Sequence, residues 1–274
     1  MKIVSFNINS IRARLHQLES LISIHQPDVI GLQETKVQDD LFPVEAVKEL
    51  GYHVYFHGQK AHYGVAMLSK QPPAAVIKGY PSDDENDQRR MITADFSLAN
   101  GETLRVLNGY FPQGESRDHP VKFPAKMKFY RDLIAFIKSC CSEHKYLAVI
   151  GDYNIAPLDH DIGIGDANAK RWLREGKTSF LPEERKWIDQ LTDMGLYDTY
   201  REKHPNISDR FSWFDYRSKG FEREPKRGLR IDHIYTNAAL TAHLDDSDID
   251  YEIRSMSKPS DHCPVWSTFS LELK

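Results

Sequence analysis

Polar residues that could bind a metal ion or take part in acid–base chemistry recur at the ends of apolar stretches in this sequence. They are Asn7 and Asn9, Glu34, Tyr110, Asp152 and Asn154, Asp232, and Asp261 with His262. A side chain at the end of a strand projects from a rigid element into a neighbouring cleft. We therefore expect these residues to gather at one site.

The spacing within two of these groups predicts a shared direction. Residues two apart in a strand point to the same face, so Asn7 and Asn9 are expected to point together, as are Asp152 and Asn154. Oxygen donors dominate the set, and this suits a hard ion such as Mg²⁺. Zinc fits less well, because the sequence has no H-E-x-x-H motif and no Cys/His pair at ligand spacing.

Each residue taken alone also has a structural explanation. An Asp or Asn after a strand is more often a turn former or a helix N-cap, and Asp152 with Asn154 could form an Asx turn. Glu34 could be a solvated charge, and Asp261 with His262 a structural pair. The ordered recurrence of the whole set favours catalysis.

The apolar pattern predicts the elements that hold these residues. Residues 2–8 and 29–32 are predicted strands on either side of a helix that begins near Ile11 and stops at Gln26 and Pro27, an arrangement typical of parallel pairing. Further strands are predicted at residues 52–56, 65–69, 91–96, 104–110, 146–150, 230–236, 249–254 and 265–271, and helices at 122–141 and 183–194. Two sheets packed face to face, with amphipathic helices outside, would bury the apolar faces of all these strands and helices.

Composition indicates an ordinary globular protein. The chain has 274 residues, 40% hydrophobic and 28% charged, and we find no linker or repeat, so one domain over residues 1–274 is expected. No signal peptide and no apolar run of about 20 residues is found, which predicts a cytoplasmic protein without a membrane partner. The cysteines Cys140, Cys141 and Cys263 form no C-x-x-C motif, so disulfides are not expected.

Positive charge is concentrated in one segment, although the whole chain carries a net charge of -4. Residues 210–230 contain seven Lys/Arg against three Asp/Glu, interleaved with Trp213 and Phe214 among other aromatics. Cations beside stacking rings are typical of nucleic-acid surfaces. These rings could instead belong to the core, but the nearness of Asp232 favours contact with a nucleic acid. Further candidates for phosphate contact are Lys170, Arg171, Arg174 and Lys177 around Trp172, and Arg90, Gln113 and Lys122.

Taken in chain order, the motifs resemble the exonuclease III group of DNA repair enzymes in the endonuclease/exonuclease/phosphatase superfamily. The motifs are SFNIN from Ser5, LQETK from Leu32, NGYFPQG from Asn108, GDYN from Gly151, LRID from Leu229 and SDH from Ser260. Residues 209–218 resemble the bacterial exonuclease III branch rather than the lipid or inositol phosphatases. Ser10 departs from the pattern, since the family usually has glycine there.

The resemblance implies a four-layer αββα sandwich of two mixed β-sheets with helices on the outer faces and the active site at one edge. It implies a Mg²⁺-dependent hydrolase, with Mn²⁺ as a substitute, that acts in base excision repair. A monomer is expected, because it would suffice for a site built from one chain. The implied activities are 3′→5′ exodeoxyribonuclease, AP endonuclease cleaving 5′ to abasic sites, and 3′-phosphatase and 3′-diesterase. The implied partner is double-stranded DNA with abasic sites, nicks or blocked 3′ ends.

The resemblance also implies residue roles. The metal set is Asn7, Glu34, Asp152, Asn154, Asp261 and His262, with Glu34 as the main ligand. The catalytic set is Tyr110, Asp152, Asn154, Asp232 and His262, in which Asp232 orients His262 and either Asp152 or His262 is the general base. The DNA-binding set is Arg90, Gln113, Lys122, Arg171, Trp213 and Phe214, in which Trp213 and Phe214 contact or wedge beside the lesion.

Two other functions share many of these features. A superfamily phosphatase acting on inositol or sphingolipid phosphates would use the same metal and Asp-His machinery, but the basic aromatic segment and the lack of an amphipathic membrane-facing stretch oppose it. A catalytically inactive DNA- or protein-binding module is opposed by the complete polar set.

Overall fold

Two six-stranded sheets form the centre of the computed structural model, which describes residues 1–274 except for the side chains of residues 140–142. In spatial order the first sheet contains β11 (Leu244–Ile249), β12 (Val265–Phe269), β1 (Lys2–Asn7), β2 (Val29–Gln33), β4 (Val65–Ser69) and β3 (His53–His57). The second contains β5 (Ala75–Lys78), β6 (Met91–Ser97), β7 (Thr103–Tyr110), β8 (Tyr146–Asp152), β10 (Asp232–Asn237) and β9 (Leu196–Asp198). Both sheets are mixed, because β1 pairs with β2 and β7 with β8 in parallel, while the other pairs are antiparallel.

The α-helices lie outside these sheets or in the connections between strands. They are α1 (Leu15–His25), α2 (Val44–Glu49), α3 (Lys122–Glu143), α4 (Asp166–Arg174), α5 (Pro182–Asp193), α6 (Thr199–Lys203), α7 (Ala238–Thr241) and α8 (Tyr251–Arg254). In the described part of the chain, none of them combines the length and the apolar character that crossing a bilayer requires.

Alternation along the strands divides the apolar side chains among three packed interfaces. Ile3 of β1 packs into the core between the sheets, whereas its neighbour Val4 packs with Leu18 of α1 on the outer face of the first sheet. On the second sheet, Val149 of β8 packs outward with Leu133 of α3. Helices therefore cover both outer faces, and the predicted four-layer αββα sandwich is confirmed.

The two sheets meet through a buried polar layer close to the ends of their strands. Gln33 Nε2 donates to Asn108 Oδ1 at 2.6 Å, and Asn108 Nδ2 donates to the carbonyls of Leu32 and Ala66. A Cβ atom at Gly31 would lie 2.6 Å from Ile150 Cδ1 and 2.7 Å from Asn108 Cγ, so only glycine permits this approach. The layer fixes the position of one sheet relative to the other near the candidate site.

The strand predicted at residues 249–254 is wrong, and the strands β5, β9 and β11 are not predicted. Residues 249–254 do not form a strand, because β11 ends at Ile249 and Asp250 then caps helix α8 by accepting a hydrogen bond from Ile253 N. Strands β5 and β9 have four and three residues, too short for a clear pattern. Cys263 is a buried free thiol, and the side chains of Cys140 and Cys141 lie outside those described.

Candidate active site

Strands from both sheets bring four polar side chains to one rim. Tyr110 at the end of β7 and Asp232 at the start of β10 both pair with Asp152 at the end of β8. Asn7, the last residue of β1 in the other sheet, donates from Nδ2 to Asp152 Oδ2 at 2.9 Å. The predicted convergence of these strand ends is therefore present.

The second residue of each predicted pair is placed by a turn and not by strand alternation. Asn9 and Asn154 have φ angles of 47° and 52°, in the left-handed region. The amide of Asn9 donates to Asn7 Oδ1 at 3.1 Å, and that of Asn154 donates to Asp152 Oδ1 at 3.0 Å. Both pairs are thus Asx turns, and the prediction that each pair lies on one strand face is wrong.

Two carboxylates and an imidazole form a compact group of potential metal ligands. Glu34, Asp152 and His262 each offer a ligand atom, and these atoms lie within 4.8 Å of one another. Asn7 Nδ2 donates to Glu34 Oε1 and to Asp152 Oδ2, both at 2.9 Å, and holds the two carboxylates together. A site dominated by oxygen donors, with room for substrate phosphate and water, fits Mg²⁺.

The other predicted ligands border this group, since Asn7 and Asn154 both hydrogen-bond to Asp152. Asn7 presents its amide nitrogen to the carboxylates, and its Oδ1 accepts from Asn9, so it is arranged as a positioning residue. Asn154 Nδ2 donates to Phe111 O and to Asp152 Oδ2. Asp261 accepts from Asn9 Nδ2 at 2.8 Å and lies outside the three-residue group. Glu34, Asp152 and His262 are therefore the charged and imidazole ligands that the structure brings together, with Asn7 and Asn154 beside them.

Lys36 is a site residue absent from the predicted set. Its Nζ lies 2.9 Å from Glu34 Oε2 and donates to Asn9 Oδ1 at 2.6 Å. Glu34 and Lys36 have φ angles of 50° and 53°, and this turn after β2 directs both side chains to the rim. Lys36 belongs to the motif Gln33-Glu34-Thr35-Lys36, but residue spacing alone does not indicate that it contacts the candidate metal ligands.

His262 is held by a buried carboxylate. Its Nδ1 lies 2.9 Å from Asp232 Oδ2, and Asp232 is 1% exposed. Although burial by itself lowers the pKa of His262, the carboxylates of Asp232 and Asp152 raise it to about 10. The imidazole is therefore suited to hold an anionic phosphate.

Asp152 lies between these charged groups. His262 Nε2 is 3.8 Å from Asp152 Oδ2. Burial, with the neighbouring carboxylates of Asp232 and Glu34, raises the pKa of Asp152 to about 7, although His262 and the hydrogen bond from Asn7 lower it. A carboxylate with this pKa can both take up and release a proton near neutral pH.

Tyr110 is fixed by Arg90, a residue predicted to contact DNA. The Arg90 guanidinium lies 4.1 Å from the ring centroid of Tyr63 and 4.5 Å from that of Tyr110, and Nη1 donates to Tyr110 O. Arg90 is 7% exposed, so the structure assigns it to positioning Tyr110 rather than to an open phosphate contact. Burial and the carboxylate of Glu34 raise the pKa of Tyr110 well above its usual value, so its hydroxyl remains a donor.

The polar group opens into a cleft of about 210 Å³ beside two tryptophans. The lining residues include Gln113, Trp172, Trp213, Asp261 and His262. Trp213 is partly exposed, and its Nε1 donates to Asp261 Oδ2 at 3.0 Å. Its position permits the predicted contact with DNA. The same prediction for Phe214 is wrong, because that ring is 0% exposed and packs in the core between the sheets.

Arginines surround a second cavity, of about 500 Å³, that shares both tryptophans with the cleft. They are Arg171, Arg217, Arg223 and Arg227. Within the described residues, none of these arginines forms an ion pair with a carboxylate. Of the remaining predicted contacts, Gln113 is exposed at the cleft, and the exposed Lys122 pairs with Glu115 at 2.5 Å.

Two further buried residues, Ser212 and Lys126, support the site through hydrogen bonds to its backbone. The sequence does not indicate this role for either of them. Ser212 Oγ accepts from the amides of Ile231 and Asp232, both at 2.9 Å. Lys126, 0% exposed, pairs with Glu184 at 2.6 Å and donates to Asn154 O at 3.0 Å. Their sequence contexts resemble ordinary loop and helix residues, so only the fold reveals these contacts.

Known proteins share this architecture over nearly the whole chain. Residues 4–262 match the family described as Endonuclease/Exonuclease/phosphatase family. Exodeoxyribonuclease III of Haemophilus influenzae is 56% identical over 98% of this chain and 100% of its own length. A solved Neisseria 3′ phosphatase bound to a product DNA hairpin has a TM-score of 0.90 and 38% identity, covering 98% of this chain and 99% of that one. An AP endonuclease from Archaeoglobus fulgidus has a TM-score of 0.88 and 31% identity, with coverages of 98% and 99%.

Proposed function

The chain belongs to the Endonuclease/Exonuclease/phosphatase family, in its exonuclease III group of DNA repair nucleases, and we propose that it cleaves damaged or terminal double-stranded DNA with Mg²⁺. Its reactions are removal of nucleotides 3′→5′, incision 5′ to abasic sites and removal of 3′-blocking groups. The observation that carries the proposal is the gathering of Glu34, Asp152 and His262 within 4.8 Å in a cleft that adjoins the arginine-lined cavity.

Each reacting group has a separate task in hydrolysis of the phosphodiester. Asp152 orients the attacking water and accepts its proton. His262, oriented through Nδ1 by Asp232, holds a phosphate oxygen with Nε2. Tyr110 donates its hydroxyl to another phosphate oxygen, and Asn154 holds phosphate or water.

The donor set fits a divalent cation, and Glu34 and Asp152 are the residues that would hold it, with Asp261 nearby. When bound there, Mg²⁺ supplies stabilisation of the negative charge that builds on the phosphate, and Mn²⁺ can replace it. Asn7 keeps the two carboxylates at their present separation. Lys36 neutralises the other oxygen of Glu34.

The arginine-lined cavity and the cleft form one face for the DNA backbone. Arg171, Arg217, Arg223 and Arg227 are exposed and lack carboxylate partners among the described residues, which leaves them available to phosphates. Gln113 and Lys122 extend this face on the other side of the cleft, and Trp213 contacts the lesion or the terminal base pair. We expect affinity for DNA to fall steeply with salt.

The test is incubation of the protein and Mg²⁺ with an end-labelled duplex that carries one abasic site. We expect cleavage 5′ to the lesion, its loss with a chelator, and its loss in Glu34→Gln. Glu45→Gln is the matched control, because Glu45 is 81% exposed on α2, and it should cleave like the wild type. An intact but bound duplex would identify a binding module instead, and turnover of inositol or sphingolipid phosphates without DNA cleavage would identify the rival phosphatase.

Three broader predictions accompany this proposal. The family match over residues 4–262 supports one catalytic domain. A site built from one chain supports action as a monomer, and sedimentation of the protein with and without DNA would test it. A cytoplasmic location is the third, and fractionation of cells that produce the tagged protein would test it.

A further inference from the structure

The outer helical layer contains a groove that takes no part in the reaction proposed above. It lies between α3 and α5 and has a volume of about 620 Å³. Met127, Ile134 and Ala135 of α3 and Trp187 of α5 form its apolar lining. The Trp187 ring stacks on Tyr130 with centroids 5.1 Å apart and so presents a fixed aromatic surface.

Positive charge borders this groove. Lys128, Arg131 and Lys138 line it, and the described lining includes no carboxylate. Lys138 is exposed and forms no ion pair with any residue whose side chain is described. Arg131 is 72% exposed and contacts Asp132 through Nε at 3.2 Å, which leaves the end of its guanidinium free toward the groove. Lys128 is already paired with Asp132 at 3.0 Å.

The size of the groove suits a short extended segment. The lining residues of α3 run from position 124 to position 138, a rise of about 21 Å along the helix axis. An extended peptide of about six residues has that length. Met127 is 50% exposed, so part of the apolar surface is open to a partner.

We infer that this groove binds an acidic peptide segment of a partner protein, with carboxylates beside a bulky apolar side chain. The carboxylates would meet Arg131 and Lys138, and the apolar side chain would lie against Met127 and Trp187. A DNA strand fits less well, because the exposed side chain of Met127 and the aromatic surface of Trp187 give a phosphate backbone nothing to bind. The groove is also separate from the arginine-lined cavity.

The test is fluorescence anisotropy with the full chain and a labelled peptide of three aspartates followed by leucine and phenylalanine. We expect saturable binding, and binding at least tenfold weaker for the double variant Arg131→Glu with Lys138→Glu. Met127→Ser should weaken binding about fivefold. Lys48→Glu on α2 is the matched control, since Lys48 is 58% exposed on another helix, and it should bind within twofold of wild type.

Cleavage of the abasic duplex by each variant is measured alongside, and we expect wild-type rates because the groove is outside the active site. Equal peptide affinity in the wild type and the double variant would overturn the inference. So would equal affinity for a peptide with asparagines in place of the aspartates, or displacement of the peptide by a short duplex at stoichiometric concentration. If light scattering showed a dimer of the wild type and a monomer of the double variant, the groove would be assigned to a second copy of this chain. That result would also overturn the inference.

Discussion

His262 Nδ1 lies 2.9 Å from Asp232 Oδ2, and Asp232 is almost completely buried beneath it. The carboxylate requires a hydrogen on Nδ1, and this fixes the ring so that Nε2 faces the cleft. Ser212 Oγ accepts from the amide of Asp232 and fixes the start of β10. The contact therefore links the second sheet to the residue that is expected to touch the phosphate.

Replacing Asp232 by Asn tests this link. An amide can present the wrong hydrogen-bonding partner to Nδ1, so we expect kcat for the abasic duplex to fall by about 10² to 10⁴ while KM changes by less than about threefold. Steady-state cleavage with Mg²⁺ over a range of duplex concentrations measures both kcat and KM. Asp189→Asn, at an exposed position of α5, is the control and should match the wild type. A drop in kcat below about threefold for Asp232→Asn would show that this contact is structural.

Ser10 stands in a backbone conformation that favours glycine. Its φ is 85°, and its amide donates to Glu34 O at 2.7 Å, so the strained residue lies directly beside the metal-ligand candidate. Glycine would relieve this strain in the folded state, but it also gives the unfolded chain more conformational freedom. Because the first effect is larger, we expect Ser10→Gly to raise the free energy of unfolding by about 1 kcal/mol.

Urea unfolding measures the change at Ser10. Ser255→Gly is the comparison, because Ser255 has φ -81° and should gain nothing from glycine. If Ser10→Gly were less stable than the wild type, the turn at Ser10 would be shown to carry no strain.

The sequence predicts the strand ends of the site better than the turns after them. Asn7, Tyr110 and Asp152 are expected at the ends of predicted apolar strands, and they lie there. Strand alternation could not place Glu34, because this residue after β2 has φ 50°, and a glutamate in the sequence does not indicate a positive φ.

The remaining errors arise from tertiary packing. Trp213 and Phe214 are adjacent aromatics in a basic segment, and nothing local tells which ring lies in the core. The sequence around Arg90 is typical of an exposed surface cation. In the structure its guanidinium lies between the rings of Tyr63 and Tyr110, which are distant from it in sequence. Contacts between residues this far apart in sequence depend on how the sheets pack. Residue spacing in the sequence does not indicate that packing.

A buried ion cluster behind β10 predicts loss of stability in acid. Arg230, 1% exposed, pairs with Asp198 at 2.6 Å and with Asp161 at 2.7 Å. Burial by itself raises the pKa of Asp198, but Arg230 and His233 lower it below the usual range. A carboxylate with a lowered pKa in the folded state stabilises the protein above its ordinary pKa of about 4, and this contribution is lost as pH falls.

Urea midpoints measured from pH 7 to pH 3 test this dependence. We expect the wild type to lose stability below about pH 4.5. Asp198→Asn should be less stable at pH 7, because it leaves Arg230 partly unpaired, but should lose less on acidification. Asp118→Asn, at an exposed position, should parallel the wild type. If the urea midpoints of Asp198→Asn and the wild type fell in parallel with pH, Asp198 would not be the cause of the loss of stability in acid.

Trp213 and Phe214 provide a paired test of DNA contact against core packing. Trp213 lines the cleft and Phe214 is fully buried, so Trp213→Ala should weaken binding of the abasic duplex about tenfold, the loss of a base–aromatic contact. Phe214→Ala should instead cost about 3–5 kcal/mol of unfolding free energy and leave the affinity of the folded protein within twofold. Binding titrations in chelator, together with urea unfolding, separate the two effects. Unchanged affinity in Trp213→Ala would remove this ring from the DNA face, because its hydrogen bond to Asp261 would then be its whole role.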